Sequence, residues 1–201
     1  MPLVVFITGA GRGLGHALAQ AFLDAGDYVV ATTRNPTNMS FTNAKSANYL
    51  ALKLDVVIPS DITSAFDAAV SKFGRIDVVI NNAAHGLVGP LETLTEEQIQ
   101  QQFDANFFSV ASITKKAVET MRGQKPSGGR VIQIGSMALV AGFPLLSAMC
   151  ASKWAVAGFT QSVAAELKPE WNVKLTTVVI GALDTEAHEK SKHCSALLSL
   201  H

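Results

Sequence analysis

A glycine-rich stretch near the start of the chain limits its possible folds more than any other segment. Its sequence is Thr8-Gly9-Ala10-Gly11-Arg12-Gly13-Leu14-Gly15. An apolar run at residues 3–7 precedes it, and a helical pattern of apolar residues begins at Leu14. A strand, a glycine turn and a helix in this order are typical of a dinucleotide site. Glycines let the backbone approach a pyrophosphate, and the helix N-terminus presents N–H groups to it. A purely structural turn without a ligand is the alternative that this stretch alone leaves open.

Strand-like and helix-like patterns alternate along the rest of the chain, which indicates βαβ units and a parallel sheet. We predict five further strands, at residues 28–32, 49–54, 76–80, 131–134 and 175–180. Right-handed crossovers then give an α/β fold with a Rossmann-type, doubly wound sheet of six strands in the order 3-2-1-4-5-6. Helices should cover both faces, and ligands should bind at the carboxyl ends of the strands. The 201 residues fit one dinucleotide-binding domain, 1–201.

Local signals predict the bounds of several helices. Ser60 or Asp61 is a candidate N-cap for a helix that ends at Gly74, where a left-handed residue is expected. Thr95 and Gln98 predict a capping box. A helical stretch follows over about 103–121, as one helix or two, and another is expected over about 149–167, before Pro169.

Charge and cysteine content narrow the functional classes. The 16 basic and 16 acidic residues give a formal net charge of zero. The chain has no block of basic residues, which argues against binding to nucleic acid or to an anionic membrane. No apolar stretch is long enough to span a bilayer, and the apolar start is too short for a signal peptide. Cys150 and Cys194 lack metal-ligand spacing. We therefore expect no metal site and a cytoplasmic protein with reduced thiols.

Several residues at the predicted strand and helix ends together match a known pattern: Thr8, Gly9, Gly13 and Gly15, then Asp55, then Asn81-Asn82-Ala83-Ala84, and finally Asn106, Ser136 and Lys153. On these residues the chain resembles the short-chain dehydrogenase/reductase family across nearly its whole length. The resemblance implies a nicotinamide cofactor and a catalytic set of Asn106, Ser136 and Lys153, with Asp55 bonding the adenine amino group. The cofactor-binding residues that we expect are Gly9, Gly11, Arg12, Gly13, Leu14, Gly15, Arg34, Asp55, Val56, Asn82, Ala83, Lys153, Gly181 and Thr185.

The end of the second strand decides between the two nicotinamide cofactors. Enzymes that take NAD usually carry an acidic residue there, which bonds the ribose hydroxyls. This chain has Thr33 followed by Arg34, and a guanidinium suits a 2′-phosphate. Arg12 in the glycine loop adds a second positive charge. We therefore predict NADP(H), with solvated surface arginines as the alternative interpretation of both residues.

The catalytic pattern departs from the family at one position. The family's tyrosine, which donates the proton, should stand four residues before Lys153, and that residue is Met149. The two residues are one helical turn apart and face the same cleft. A thioether neither donates nor relays a proton.

Other side chains are weaker candidates for the missing proton donor. Tyr28 and Tyr49 belong to strands away from the cleft. His85 follows the fourth strand and is better placed, with a cleft-lining or exposed histidine as the alternative. Cys150 adjoins Met149 but points about a third of a turn away on a helix, so packing is its expected role.

The C-terminal part also departs from the family. Family members usually show Pro-Gly after the sixth strand and a threonine soon after, whereas this chain has Ile180-Gly181 and then Thr185. They also continue for several dozen residues with a lid, a helix and a seventh strand. We expect residues 185–201 to form a partial substrate lid, either because the natural chain is short or because this sequence is a piece of a longer one.

Three functions remain open on this evidence. The first is an NADP(H)-dependent oxidoreductase that acts on a carbonyl or alcohol of a small apolar molecule, with water or substrate helping Ser136, Lys153 and Asn106 to handle the proton. The second is a family-derived enzyme of a non-redox step, such as cyclisation or isomerisation. The third is a catalytically inactive NADP(H)-binding protein. The resemblance also implies a homodimer, packed through the long helices after the fourth and fifth strands.

Overall fold

A parallel sheet organises the protein in the computed structural model, which describes residues 1–181 and the short strand at 192–193. The described strands are β1 (Val4–Ile7), β2 (Tyr28–Thr33), β3 (Tyr49–Lys53), β4 (Val78–Asn81), β5 (Leu87–Val88), β6 (Gly129–Ser136), β7 (Val173–Ile180) and β8 (Lys192–His193). Six of them form one sheet in the order β3-β2-β1-β4-β6-β7, in which every pair is parallel. The predicted Rossmann-type sheet is therefore confirmed. The labels differ because the two-residue β5, which pairs with β8 outside this sheet, was not predicted.

Five α-helices connect the strands: α1 (Gly13–Asp24), α2 (Pro59–Phe73), α3 (Glu96–Phe103), α4 (Ser109–Gly123) and α5 (Ser147–Glu166). The capping box of Thr95 and Gln98 is confirmed at the start of α3, and Gly74 ends α2 with φ of 78°. The predicted N-cap of α2 is wrong, because the helix begins at Pro59 and its N-cap is Ile58. Proline suits this first helical position, since its fixed φ and missing N–H cost nothing there.

The long helical stretch is continuous but not uniform. Between α3 and α4 the backbone forms a π-helical turn, Asp104–Phe108. This wider turn inserts an extra residue into the helix and shifts the side chains that follow it, a device that is frequent at functional sites. Its central residue is the buried Asn106.

Helices cover both faces of the sheet, as predicted. Side chains alternate along a strand, so Val4 and Phe6 of β1 pack on one side and Val5 and Ile7 on the other. The first cluster includes residues of α2 and α4, among them Phe66, Ile113 and Met121, and the second includes Ala19 and Leu23 of α1. Within the described residues, no helix has both the length and the apolar character needed to cross a membrane.

Candidate active site

The glycine loop between β1 and α1 has the geometry that a close backbone approach requires. Gly9 and Gly13 have φ of 67° and 53°, a region that favours glycine. A side chain at Gly15 would collide with the Gly9 carbonyl and the Asn82 amide, and one at Gly11 would come 2.9 Å from Thr33 Oγ1. The loop therefore presents bare backbone beside the N-terminus of α1, where an anion is favoured.

Asn82 and Thr8 join the end of β4 to this loop. The Thr8 hydroxyl accepts hydrogen bonds from the Asn82 and Ala83 N–H groups, both at 3.0 Å, and the Asn82 amide donates to the carbonyls of Thr8 at 2.9 Å and Gly9 at 3.2 Å. These bonds cross two neighbouring strands at their carboxyl ends. The predicted Asn82 and Ala83 thus adjoin the glycine loop, with Asn82 holding its shape.

The charged residues that the sequence predicts for the adenosine half of the cofactor lie near the carboxyl ends of β1, β2 and β3. Arg34 is exposed and directly follows β2, Arg12 is the exposed N-cap of α1, and Asp55 is half-buried just after β3. The Asp55 N–H donates to the Asp61 carboxylate at 3.1 Å, and the Asp55 carboxylate accepts from the Val57 N–H at 3.3 Å. Since β1, β2 and β3 are parallel neighbours, these side chains begin at one edge of the sheet.

The predicted catalytic Asn106 is held deep in the site. It is 1% exposed, and it exchanges two hydrogen bonds with the backbone of His85, at 2.8 Å through its Oδ1 and at 3.0 Å through its Nδ2. The π-helical turn thereby fixes the segment that follows β4. His85 itself is half-buried in that segment.

Met149 lies against this asparagine. The Asn106 Nδ2 is 3.3 Å from the Met149 sulfur, and the Nε2 of Gln102 is 3.6 Å from it. Gln102 is 0% exposed and also donates to the His85 carbonyl at 2.6 Å. Sequence reasoning missed Gln102. The available signal was its spacing, one helical turn before Asn106 and on the same helix face.

Lys153 stands one turn after Met149 on α5 and is 9% exposed. Its ammonium group donates to the Ile134 carbonyl at 3.2 Å. Burial lowers the pKa of the Lys153 ammonium from 10.5 to about 8, since the interior disfavours the charged form. This amine is therefore poised to exchange a proton near neutral pH.

Ser136 is the last residue of β6 and is half-buried. Its hydroxyl oxygen accepts from the Ala138 N–H at 3.1 Å, so its position is fixed by the short turn that follows. The segment between Ser136 and α5 exposes large apolar side chains to solvent, among them Met137, Val140 and Phe143. The site thus has an apolar rim.

The remaining residues that the sequence analysis considered lie in different parts of the structure. Tyr28 and Tyr49 stand at the starts of β2 and β3, at the edge opposite the cleft, and burial raises the pKa of the Tyr49 phenol. Cys150 is buried, as a packing role requires. Gly181 is exposed just beyond β7. Thr185 and the expected partial lid at 185–201 lie outside the described residues, apart from the backbone of β8. Over the described part of the chain, no group of three or more metal-binding side chains occurs.

Comparison with known proteins agrees with this geometry. The sequence matches the short chain dehydrogenase family over residues 3–195. An uncharacterized oxidoreductase, C162.03, of Schizosaccharomyces pombe is 42% identical over 182 residues, which cover 90% of this chain and 61% of that protein. This chain thus spans less than two thirds of that relative.

Two solved structures show the same architecture. The 3-ketoacyl-(acyl-carrier-protein) reductase of Brucella melitensis, complexed with NADH, superposes with a TM-score of 0.86 at 25% identity, covering 94% of this chain and 79% of the reductase. ElxO with NADP bound gives a TM-score of 0.84 at 28% identity, covering 94% of this chain and 77% of ElxO. From the glycine loop to β7, sequence and fold agree that the chain belongs to the short-chain dehydrogenase/reductase family of oxidoreductases.

Proposed function

We propose that the protein is an NADP(H)-dependent oxidoreductase that acts on a carbonyl or alcohol of a small apolar molecule without the family's tyrosine. The observation that carries this proposal is the glycine loop joined to Asn82. Side chains at Gly9, Gly11 or Gly15 would meet Ala83, Thr33 or the Gly9 carbonyl, so the glycines let the loop lie close against the strand ends. The loop leads into the N-terminus of α1, where backbone N–H groups fit a pyrophosphate.

The glycine loop fits the pyrophosphate of the cofactor, and the assignment of the other predicted residues is part of this proposal. The glycine loop with Leu14 would hold the pyrophosphate, Asp55 and Val56 the adenine, and Asn82, Ala83, Lys153, Gly181 and Thr185 the nicotinamide half. Arg34, with Arg12, would bind the adenosine 2′-phosphate, because Thr33 brings no carboxylate to repel it. Relatives of this fold bind NADH or NADP, so the preference for NADP(H) rests on these arginines. When bound, the nicotinamide supplies or accepts the hydride.

The chain's own residues would handle the substrate oxygen and its proton. The Ser136 hydroxyl is fixed at the edge of the sheet and would donate to the carbonyl oxygen. Met149 offers no proton, so Lys153, water or the substrate itself would supply it, with Asn106 keeping the neighbouring backbone in place. General acid catalysis is worth about 10²–10⁴-fold. Its loss slows such an enzyme, but proximity still contributes separately.

The thioether at position 149 also supports a second candidate, a non-redox reaction such as cyclisation or isomerisation on the same scaffold. Cofactor titration followed by a panel of carbonyl substrates separates the possibilities. NADPH binding with NADPH oxidation supports the oxidoreductase. Product without NADPH consumption supports the non-redox enzyme, and binding alone identifies an NADP(H)-binding protein. Failure to bind NADPH contradicts all three.

We also propose a homodimer in the cytoplasm. The helices after β4 and β6 are both present, and apolar side chains on them face solvent: Phe108 is 51% exposed and Trp154 is 55% exposed. Phe107 contacts Phe159 edge-on across the two helices, at 6.0 Å between ring centres, so the aromatic surface spans both. A two-fold axis would bury this surface. Light scattering at micromolar concentration should give twice the monomer mass, and Phe108→Asp should halve it. A monomeric wild type contradicts the dimer.

A further inference from the structure

The sulfur of Met149 is the meeting point of two buried amides. Asn106 and Gln102 each direct their NH₂ group at the His85 carbonyl and the Met149 sulfur, and the Asn106 NH₂ group also lies 3.4 Å from the Ser152 hydroxyl oxygen. An NH₂ group has two hydrogens, so Gln102 can satisfy both of its acceptors at once, whereas Asn106 shares its two hydrogens among three acceptors. The catalytic position thus carries a hydrogen-bonded methionine.

A glutamine at position 102 is energetically unfavourable in one respect, and packing alone does not explain its presence. It is fully buried, and its Oε1 has no hydrogen-bond partner within the described structure. An unsatisfied buried acceptor is unfavourable by about 1–3 kcal/mol, and a leucine of similar size would fill the same space without it. The half of Gln102 that does find partners is its NH₂ group. What the glutamine provides here is therefore a donor to His85 and Met149.

We propose that Gln102 is a positioning residue which, with Asn106, clamps the Met149 thioether and makes it a fixed apolar floor for the substrate. A thioether is a weak acceptor with two lone pairs, and two amide NH₂ groups, at 3.3 Å and 3.6 Å from the sulfur, are placed to engage them. Met149 then offers only carbon atoms to a substrate. The substrate class is accordingly a ketone, or its secondary alcohol, whose substituent at this point is hydrocarbon and not hydroxylated.

This inference rests on the proposed function for its substrate class, but the clamp itself can be measured without turnover. The chain has five methionines, so methyl-¹³C-methionine labelling gives a simple NMR spectrum, and Met149→Leu assigns the Met149 signal. We expect the methyl group of Met149 to be nearly as ordered as that of the fully buried Met121. In Gln102→Leu its order should fall toward that of Met137, which is 48% exposed.

A matched control is available on the same helix. Gln101 is exposed and its amide donates to Glu97, so Gln101→Leu makes the same chemical change away from the site and should leave the Met149 signal unmoved. Gln102→Ala repeats the test with less bulk, in case leucine disturbs the packing. An unchanged Met149 methyl in both Gln102 variants would overturn the clamp.

The substrate class is tested with two ketones of nearly equal shape, 2-hexanone and 5-hydroxy-2-pentanone, with NADPH. Wild type should favour 2-hexanone by about tenfold in kcat/KM, the range expected for one buried contact. Gln102→Leu should reduce this preference to about threefold, mainly through KM, with unchanged NADPH affinity. Equal use of both ketones by wild type would overturn the substrate class. If neither ketone is reduced and NADPH does not bind, the proposed function fails, while the NMR result still decides the clamp.

Discussion

The cofactor side and the substrate side of the sheet edge are built in different ways. At the ends of β1 and β4, glycines form the loop, and the Thr8 hydroxyl and the Asn82 amide tie it across the strands, so several residues share in holding its shape. At the end of β6 and the start of α5, the residues that we propose for the chemistry are single side chains beside an exposed apolar rim. The proposed cofactor cradle thus depends on several glycines and two polar side chains acting together. In the proposed site, by contrast, the availability of a phenol depends on position 149 alone, where this chain has methionine although the fold and the glycine loop are intact.

The largest expected effect comes from introducing a phenol at position 149. Met149→Tyr should place a hydroxyl near Lys153 and a bound carbonyl, and the nearby positive charge should favour the phenolate. Reduction of a generic activated ketone should rise by about 10²–10⁴-fold, as expected of general acid catalysis. The measurement is NADPH oxidation by wild type and variant, with the fold checked by circular dichroism.

The same substitution also tests the substrate floor. If a hydrocarbon group of the natural substrate rests on Met149, activity on that substrate should fall while activity on a small activated ketone rises. A folded variant that binds NADPH but gains nothing would mean that the substrate side has diverged at more than this residue. The proposed arrangement of position 149, Lys153 and the substrate carbonyl would then be contradicted, and with it the reductase reaction at this site.

The sheet and the residues at strand ends could be predicted because they depend on local signals. Apolar runs of strand length, a glycine turn and polar residues directly after each run are visible in the chain itself, and they place Asp55, Asn82 and Ser136 at one edge. The start of α2 was not predictable in the same way, because Pro59 overrides the favourable caps Ser60 and Asp61.

The packing around Met149 could not be read from the chain. The role of Gln102 depends on a π-helical turn, on the backbone of His85 and on a residue of α5, which are far apart in sequence. The periodicity of the helix suggests an apolar face there, and a buried glutamine breaks that pattern. Only the folded structure shows the partners of the buried glutamine, which are the His85 carbonyl and the Met149 sulfur.

A smaller effect is expected from the buried amine on the substrate side. A pKa of 10.5 lowered to about 8 corresponds to about 3 kcal/mol, at about 1.4 kcal/mol for each tenfold change in proton affinity. Below pH 8 the folded protein holds a charged, buried Lys153 and bears the whole penalty. Between pH 8 and 10.5 the folded state releases this proton while the unfolded chain keeps it, so stability should rise with pH.

Lys153→Met should therefore stabilise the cofactor-free protein at pH 7 by up to about 3 kcal/mol, and the advantage should shrink as the pH approaches 10.5. Urea unfolding at pH 7, 8.5 and 10 measures this difference. Lys115→Met, at an exposed position on α4, is the control and should leave the pH dependence as in wild type. A destabilised Lys153→Met at every pH would show that the bond to the Ile134 carbonyl outweighs the desolvation.

The smallest effect is expected on cofactor affinity, because we assign the choice between NADH and NADPH to one exposed side chain, Arg34. The glycine loop binds the part that NADH and NADPH share, so Arg34→Ala should leave NADH affinity unchanged. NADPH affinity should fall about 10–100-fold, since a charge-assisted hydrogen bond contributes about 1.5–3 kcal/mol. Arg130→Ala removes an equally exposed arginine near the start of β6, at the opposite edge of the sheet, and should alter neither affinity. Calorimetric titration of both cofactors into the three proteins gives the comparison.

Equal affinities of wild type for NADH and NADPH would refute the assignment of Arg34. A preference that survives Arg34→Ala would transfer the role to Arg12, which begins α1 inside the glycine loop. In that case the glycine loop would hold both the shape of the cofactor cradle and its selectivity.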